Sequence, residues 1–222
     1  MARRLPIYHV AFSNYYLMTS TFLRFQEHYE SPKFHGKIFT LEEFMDWYAA
    51  ERGKFSYFED WGGFNIPGRV FAPFSAGKFD PLTRKEAALL KMFRGVSGDF
   101  YVIGSVGGDL EGMLHEIIHG MFYLFPEYRR DAVRCLRGLD DKHIRERLLK
   151  MDGYDKSVLD DEVNAYGLTA KSAEPGHKRQ NWKIKKALEE VFFKHFGYSV
   201  ATKNGQKKLI SGVHRLKFSW PK

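Results

Sequence analysis

Residues Gly107–Arg129 read GGDLEGMLHEIIHGMFYLFPEYR. Leu, Met, Ile and Phe recur here at helical spacing, yet His115, Glu116 and His119 sit in the middle of them. Asp109 is a good N-cap and Pro126 a stop, so the pattern predicts a helix from Asp109 to Phe125. With about 100° between successive residues, Leu110, Met113, Leu114, Ile117, Ile118, Met121 and Phe125 gather on one side. His115, Glu116, His119 and Tyr123 fall on the other, with Gly108 and Gly112. Histidines four apart lie one turn above each other, so both imidazoles reach one metal ion with the glutamate beside it. The two glycines on that face leave room for a ligand or a passing backbone.

A catalytic zinc takes three protein ligands and keeps its fourth position for water. The continuation HExxHxxGxxH is absent, because Phe122 stands at the glycine position and Phe125 at the third histidine. A carboxylate is the other common choice. SVLDDEVNAYGLTA, which begins at Ser157 with Asp160 as capping-box partner, reads as a further helix. On it Val158, Leu159, Val163, Ala165, Tyr166 and Thr169 share a face, Asp160 and Asn164 point away, and Asp161 lies on the flank. Glu162 falls within the apolar face. A carboxylate buried there needs a cation, either an arginine in an ion pair or the metal of His115 and His119. The metal is the preferred partner. Asp161, then His143 and His177, are reserve ligands.

HExxH on one helix with a downstream Glu162-Val-Asn-Ala-Tyr166 on another resembles the gluzincin group of zinc metallopeptidases. The likeness covers these two short motifs. The strand DFYVIGSV (99–106) just before the histidine helix also fits the zincin layout, in which an edge strand aligns an extended peptide. The resemblance implies a Zn2+ ion held by His115, His119 and Glu162. Glu116 is then the general base that takes a proton from a zinc-activated water and passes it to the leaving amine. Tyr166, one turn beyond Glu162, is the first candidate donor to the oxyanion, with a partner to a ligating histidine or a plain core tyrosine as its other roles. Tyr123 and His177 are weaker oxyanion candidates. The implied activity is hydrolysis of peptide bonds in a peptide or protein substrate.

The remaining sequence frames this site. The chain of 222 residues is 44% hydrophobic and 16% aromatic, enough to bury a core and too apolar for disorder over most of its length. The single cysteine, Cys135, permits no internal disulfide and fits a reducing compartment. No run approaches the ~18 apolar residues of a membrane span, and the start MARRLPIYHVAF is broken by His9 and lacks a small-residue cleavage site. The expectation is a soluble, cytoplasmic protein with no membrane partner. LPIYHVAF reads as a strand, and helices are expected at YYLMTSTFLRFQEHYE, at TLEEFMDWYAAERG with Thr40 and Glu43 as a capping box, and at DPLTRKEAALLKMFRG with proline in its first turn. Lys54–Gly77 reads as packed loop with a strand near GRVFAPF, and Trp61 with Gly62 and Gly63 either packs on the core or walls the cleft. GSVGGD lacks phosphate-loop spacing and reads as a strand-to-helix turn. EYRRDAVRCLRGL, DKHIRERLLKMDG and NWKIKKALEEVFFKHFG are amphipathic helices, and NGQKKLISGVHRLKFSW a hairpin or extended arm. Together these give a single α+β domain over 1–222, mostly helical, with a small sheet next to the active-site helix, and the resemblance implies that its fold is zincin-like.

The formal charge of +8 is uneven: residues 171–222 carry a net +10 and the rest a net −2. Trp182, Lys183, Lys185, Lys186, Lys194, His195, Lys207, Lys208, Arg215, Lys217 and Trp220 mix cations with aromatics there. The alternative reading is therefore a nucleic-acid or polyanion-binding protein with a structural or degenerate zinc site.

Overall fold

Two alternating strands of opposite-facing apolar residues set the layers. In the computed structural model, which describes residues 4–150, 156–169 and 177–220, the chain starts with β1 (Ile7–Phe12), α1 (Tyr15–Glu30), α2 (Leu41–Arg52), α3 (Tyr57–Asp60), β2 (Gly63–Pro67), α4 (Phe71–Ser75) and α5 (Arg84–Met92). It continues with β3 (Tyr101–Val106), α6 (Leu110–Leu124), α7 (Pro126–Leu136), α8 (Lys142–Lys150), α9 (Leu159–Thr169), α10 (Lys178–Phe196), α11 (Lys203–Ser211) and β4 (His214–Lys217). The strand order is β2-β3-β1-β4, with β1 parallel to both β3 and β4 and β2 antiparallel to β3.

Successive strand residues face opposite sides. Ile7, Tyr101 and Ile103 turn to an aliphatic layer with Ile117, Ile118 and Met121 of α6 and Val163 of α9. Val10, Phe12 and Val102 turn to an aromatic layer with Phe22, Phe25, Phe44, Tyr57, Phe64 and Phe74. Helices thus cover both faces of a small mixed sheet, which is the α+β, mostly helical architecture expected. No helix among the described residues is long and apolar enough to cross a membrane.

Several local expectations give way to packing. GRVFAPF is not a strand: Val70, Phe71 and Phe74 are buried at helical spacing, in a 3-10 turn at Gly68–Val70 and in α4. The C-terminal stretch is not a hairpin. Thr202 caps α11 by accepting from the Gly205 N–H at 3.0 Å, Leu209 and Ile210 bury, and β4 then pairs with β1. Pro126 does stop α6, but it also opens α7 as a first-turn proline. In α5 the cap is a Thr83–Glu86 capping box and Pro81 precedes it. Ser157 lies in a 3-10 turn, so α9 begins at Leu159. Most relevant to the site, DFYVIGSV lies inside the sheet as β3, and the antiparallel edge strand beside α6 is β2.

Candidate metal centre

The turn that aims α6 is tight. Gly108 adopts φ 97°, a left-handed conformation suited to glycine, and Asp109 then caps the helix by accepting from the Gly112 N–H at 2.8 Å. Gly112 makes room for that cap rather than for a ligand, since a Cβ there would meet Asp109 Oδ2 at 2.2 Å. Ile117, Ile118 and Met121 anchor the opposite face at full burial, while Leu110 at the helix start stays exposed. His115 is half-buried; Glu116 and His119 are buried.

α9 packs against α6 and brings in the third group. Val163, Ala165 and Leu168 bury around Glu162, whose carboxylate is itself buried. His115 Nε2 and His119 Nε2 lie 3.1 Å apart. Glu162 Oε2 is 3.8 Å from His115 Nε2, and Oε1 is 3.6 Å from His119 Nε2. One donor atom from each of the three residues fits within a 4.8 Å group.

The far sides of both rings meet oxygen acceptors. Thr169 Oγ1 donates to the Ala165 carbonyl at 2.7 Å, so at 3.2 Å from His115 Nδ1 it is the acceptor and the ring proton is on Nδ1. His119 Nδ1 lies 3.0 Å from Asp161 Oδ1, near enough for the carboxylate to hold its proton although the two are not aligned as a hydrogen bond. In the neutral rings both Nε2 atoms therefore present lone pairs to each other and to a carboxylate. Glu162 Oε2 is buried with no hydrogen-bond partner. With both rings neutral and the carboxylate ionised, three acceptors converge, and a divalent cation fits that set.

Without an ion, protons take its place in the site. Burial pushes Glu162 up to about 8, against the pull of His119, with Asp161 and Glu116 adding repulsion. Burial draws His119 down, but the Asp161 and Glu162 carboxylates outweigh it and hold it well above the usual imidazole range. Burial and then His119 hold His115 well below that range. A positive charge is wanted between the rings.

Beside this group, Glu116 Oε2 accepts from Asn65 Nδ2 at 2.7 Å, and Asn65 Oδ1 accepts from the Tyr101 hydroxyl at 2.5 Å. Both residues belong to neighbouring strands, β2 and β3. Burial raises Glu116, while His119 and the Asn65 bond oppose the rise. The cleft in front is lined by Trp61, Gly63, Asn65, Arg147 and Tyr166 together with the histidines and glutamates. The Tyr166 ring lies 4.6 Å from that of His115, tilted by 59°, and the Arg147 guanidinium lies over the Tyr166 ring, 5.2 Å from its centre.

The structure brings together His115, Glu116, His119, Glu162 and Tyr166. It leaves the others elsewhere. His143 and His177 stack on each other at 4.2 Å, with His143 bonded to Asn181, and Tyr123 packs against Tyr101; none lines the cleft. Asp161 contacts a histidine from behind. Asn164, expected to point away, is fully buried and accepts from the Tyr128 hydroxyl at 2.8 Å. Asn65 and Glu30, which also line the cleft, were not singled out from sequence. Each carries a signal: Asn65 is polar between Phe64 and Ile66, and Glu30 is an acid at a helix C-terminus. Compared with known proteins, the chain matches no family model, no curated protein and no solved structure.

Proposed function

We propose that the chain is a zinc-dependent metallopeptidase of zincin-like layout. The observation that carries this reading is the convergence of two Nε2 lone pairs and an orphaned buried carboxylate oxygen beside a second buried glutamate. Two histidines and a carboxylate are a common catalytic zinc set, and ligands bound at 2.0–2.2 Å around a tetrahedral ion lie roughly 3.3 Å apart, close to the separations of 3.1, 3.6 and 3.8 Å here. When bound, zinc polarises a water and a carbonyl.

The chain's residues supply the remainder. Glu116, oriented by Asn65, takes a proton from the attacking water and delivers it to the leaving nitrogen, so the C–N bond breaks with no net proton change on the protein. Tyr166 is the donor candidate for the oxyanion. The antiparallel edge strand β2 runs along the cleft through Gly63 and Asn65, where an extended peptide can lie beside it.

The test is metal content and hydrolysis of an unfolded protein, measured together. Glu116→Gln should keep zinc and lose hydrolysis, whereas Glu162→Ala should lose both. Equal zinc in the Glu162→Ala and unaltered chains removes Glu162 from the ligand set and with it the hydrolase. The polyanion reading is supported by α10, where Trp182 is 61% exposed and Lys186 Nζ lies 5.4 Å from its ring. Salt-sensitive gel retardation of DNA or RNA by a chain that hydrolyses nothing would favour it.

A further inference from the structure

The metal cleft does not end at the histidines. It continues past Gln26, Glu30 and Trp61, which line both spaces, into a cavity of about 370 Å³ walled also by Glu27, Trp47 and Tyr48. Three features there ask for a cation.

Glu27 and Glu30 occupy the last turn of α1, where the helix's own partial negative charge disfavours carboxylates. Glu51 also lines the cavity, so three acids stand against the single Arg52 in its wall. Independently, Gln26 is only 7% exposed; its Nε2 donates to Glu30 while its Oε1 is buried with no hydrogen-bond partner. Leaving such an acceptor unmet is costly unless a ligand supplies the hydrogen. Tyr57 donates to Glu27 Oε1 at 2.8 Å and so fixes one carboxylate in place. Trp47 and Trp61, whose rings attract cations, also line the cavity.

We propose that this cavity binds the cationic side chain, arginine or lysine, of a peptide held across the metal cleft. The acids and the Gln26 oxygen call for donors and positive charge, which a guanidinium or ammonium on an aliphatic stem brings, and the buried, unpartnered Trp61 N–H is left to meet an acceptor such as a carbonyl of the same peptide. The inference rests on the peptidase reading for its setting, since the peptide would be the substrate.

Binding tests it without hydrolysis. The full zinc-loaded chain carrying Glu116→Gln is titrated by calorimetry with acetyl-Ala-Arg-Ala amide, acetyl-Ala-norleucine-Ala amide and unacetylated Ala-norleucine-Ala amide. The arginine peptide should bind about ten-fold tighter than the acetylated norleucine peptide, and both Glu30→Gln and Gln26→Leu should remove most of that preference. Equal affinity for the arginine and norleucine peptides overturns the inference. So does an equal gain from the free amine alone, which would mean that the cavity takes a peptide N-terminus. Should Glu30→Gln not fold, the peptide comparison and Gln26→Leu still decide. Arginine preference in a chain whose unaltered form cleaves nothing keeps the cavity and sinks the peptidase.

Discussion

Gly63 lies against the carboxylate of Glu116 so closely that a Cβ on it would come within 2.5 Å of Oε1. The edge strand therefore touches the proposed base twice, through the Gly63 backbone and through the Asn65 side chain. In Gly63→Ala the carboxylate has to swing, and its 2.7 Å bond from Asn65 is the contact it gives up. Zinc content should stay at the unaltered level while kcat falls on the order of a hundred-fold, the usual consequence of misplacing a reacting group by about 1 Å. An alanine variant with undiminished turnover would mean that Glu116 is free to move and that β2 does not position it.

Asp161 and His119 give a second prediction. The carboxylate lies behind the ring, 3.0 Å from Nδ1, where it favours the tautomer with the proton on Nδ1 and Nε2 open. Asp161→Asn can present an amide N–H to Nδ1 instead and drive the proton onto Nε2. Zinc affinity, measured against a competing chelator, should fall about 10–100-fold with little loss of stability. Unchanged affinity would show that the tautomer is set elsewhere.

These two contacts also show which parts of the site the sequence could reveal. His115, Glu116 and His119 were legible because their relation is local, fixed by the helical turn. Glu162 was legible as an anomaly, an acid among Val163, Ala165 and Tyr166. A helical wheel makes Asp161 a spare ligand, since it places the residue near Glu162 but cannot tell the front of a distant ring from its back. Asn164 was misplaced for a related reason. α9 packs against α6, α7, α8 and α10, so a polar residue opposite its apolar face still meets a partner, the Tyr128 hydroxyl.

Gly63, Asn65 and Glu30 depend on contacts between distant segments, and no local period encodes them. The same division holds for the fold. Thr40 with Glu43 marked α2 because a capping box is complete within four residues. The pairing of β4 with β1 joins residues about two hundred positions apart. It was unreadable from the short run HRLK alone.

Tyr166 offers a test that separates chemistry from packing. Its ring lies 4.6 Å from that of His115 and stays in place in Tyr166→Phe, which removes only the hydroxyl. If the hydroxyl donates to the oxyanion, kcat should drop about 10²–10³-fold at constant zinc content and nearly constant KM. A core role predicts the reverse, a lower Tm with kcat retained. Steady-state kinetics beside thermal unfolding distinguishes the two.

Far from the cleft, His9 makes the acid stability of the fold testable. It is buried in β1, with Nε2 at 2.8 Å from Ser105 Oγ, and burial followed by the Arg215 charge lowers it from 6.5 to about 4. A base depressed in the folded state binds fewer protons there than when unfolded. Its contribution is therefore complete above pH 6.5 and is lost as the pH falls towards 4. The full shift corresponds to on the order of 3 kcal/mol. His9→Gln can keep a hydrogen bond to Ser105 but cannot titrate, so its denaturation midpoint should decline less steeply than that of the unaltered chain across this window. Parallel acid limbs in the two chains would show that His9 is protonated in the fold without penalty, and that the sheet tolerates a second cation beside Arg215.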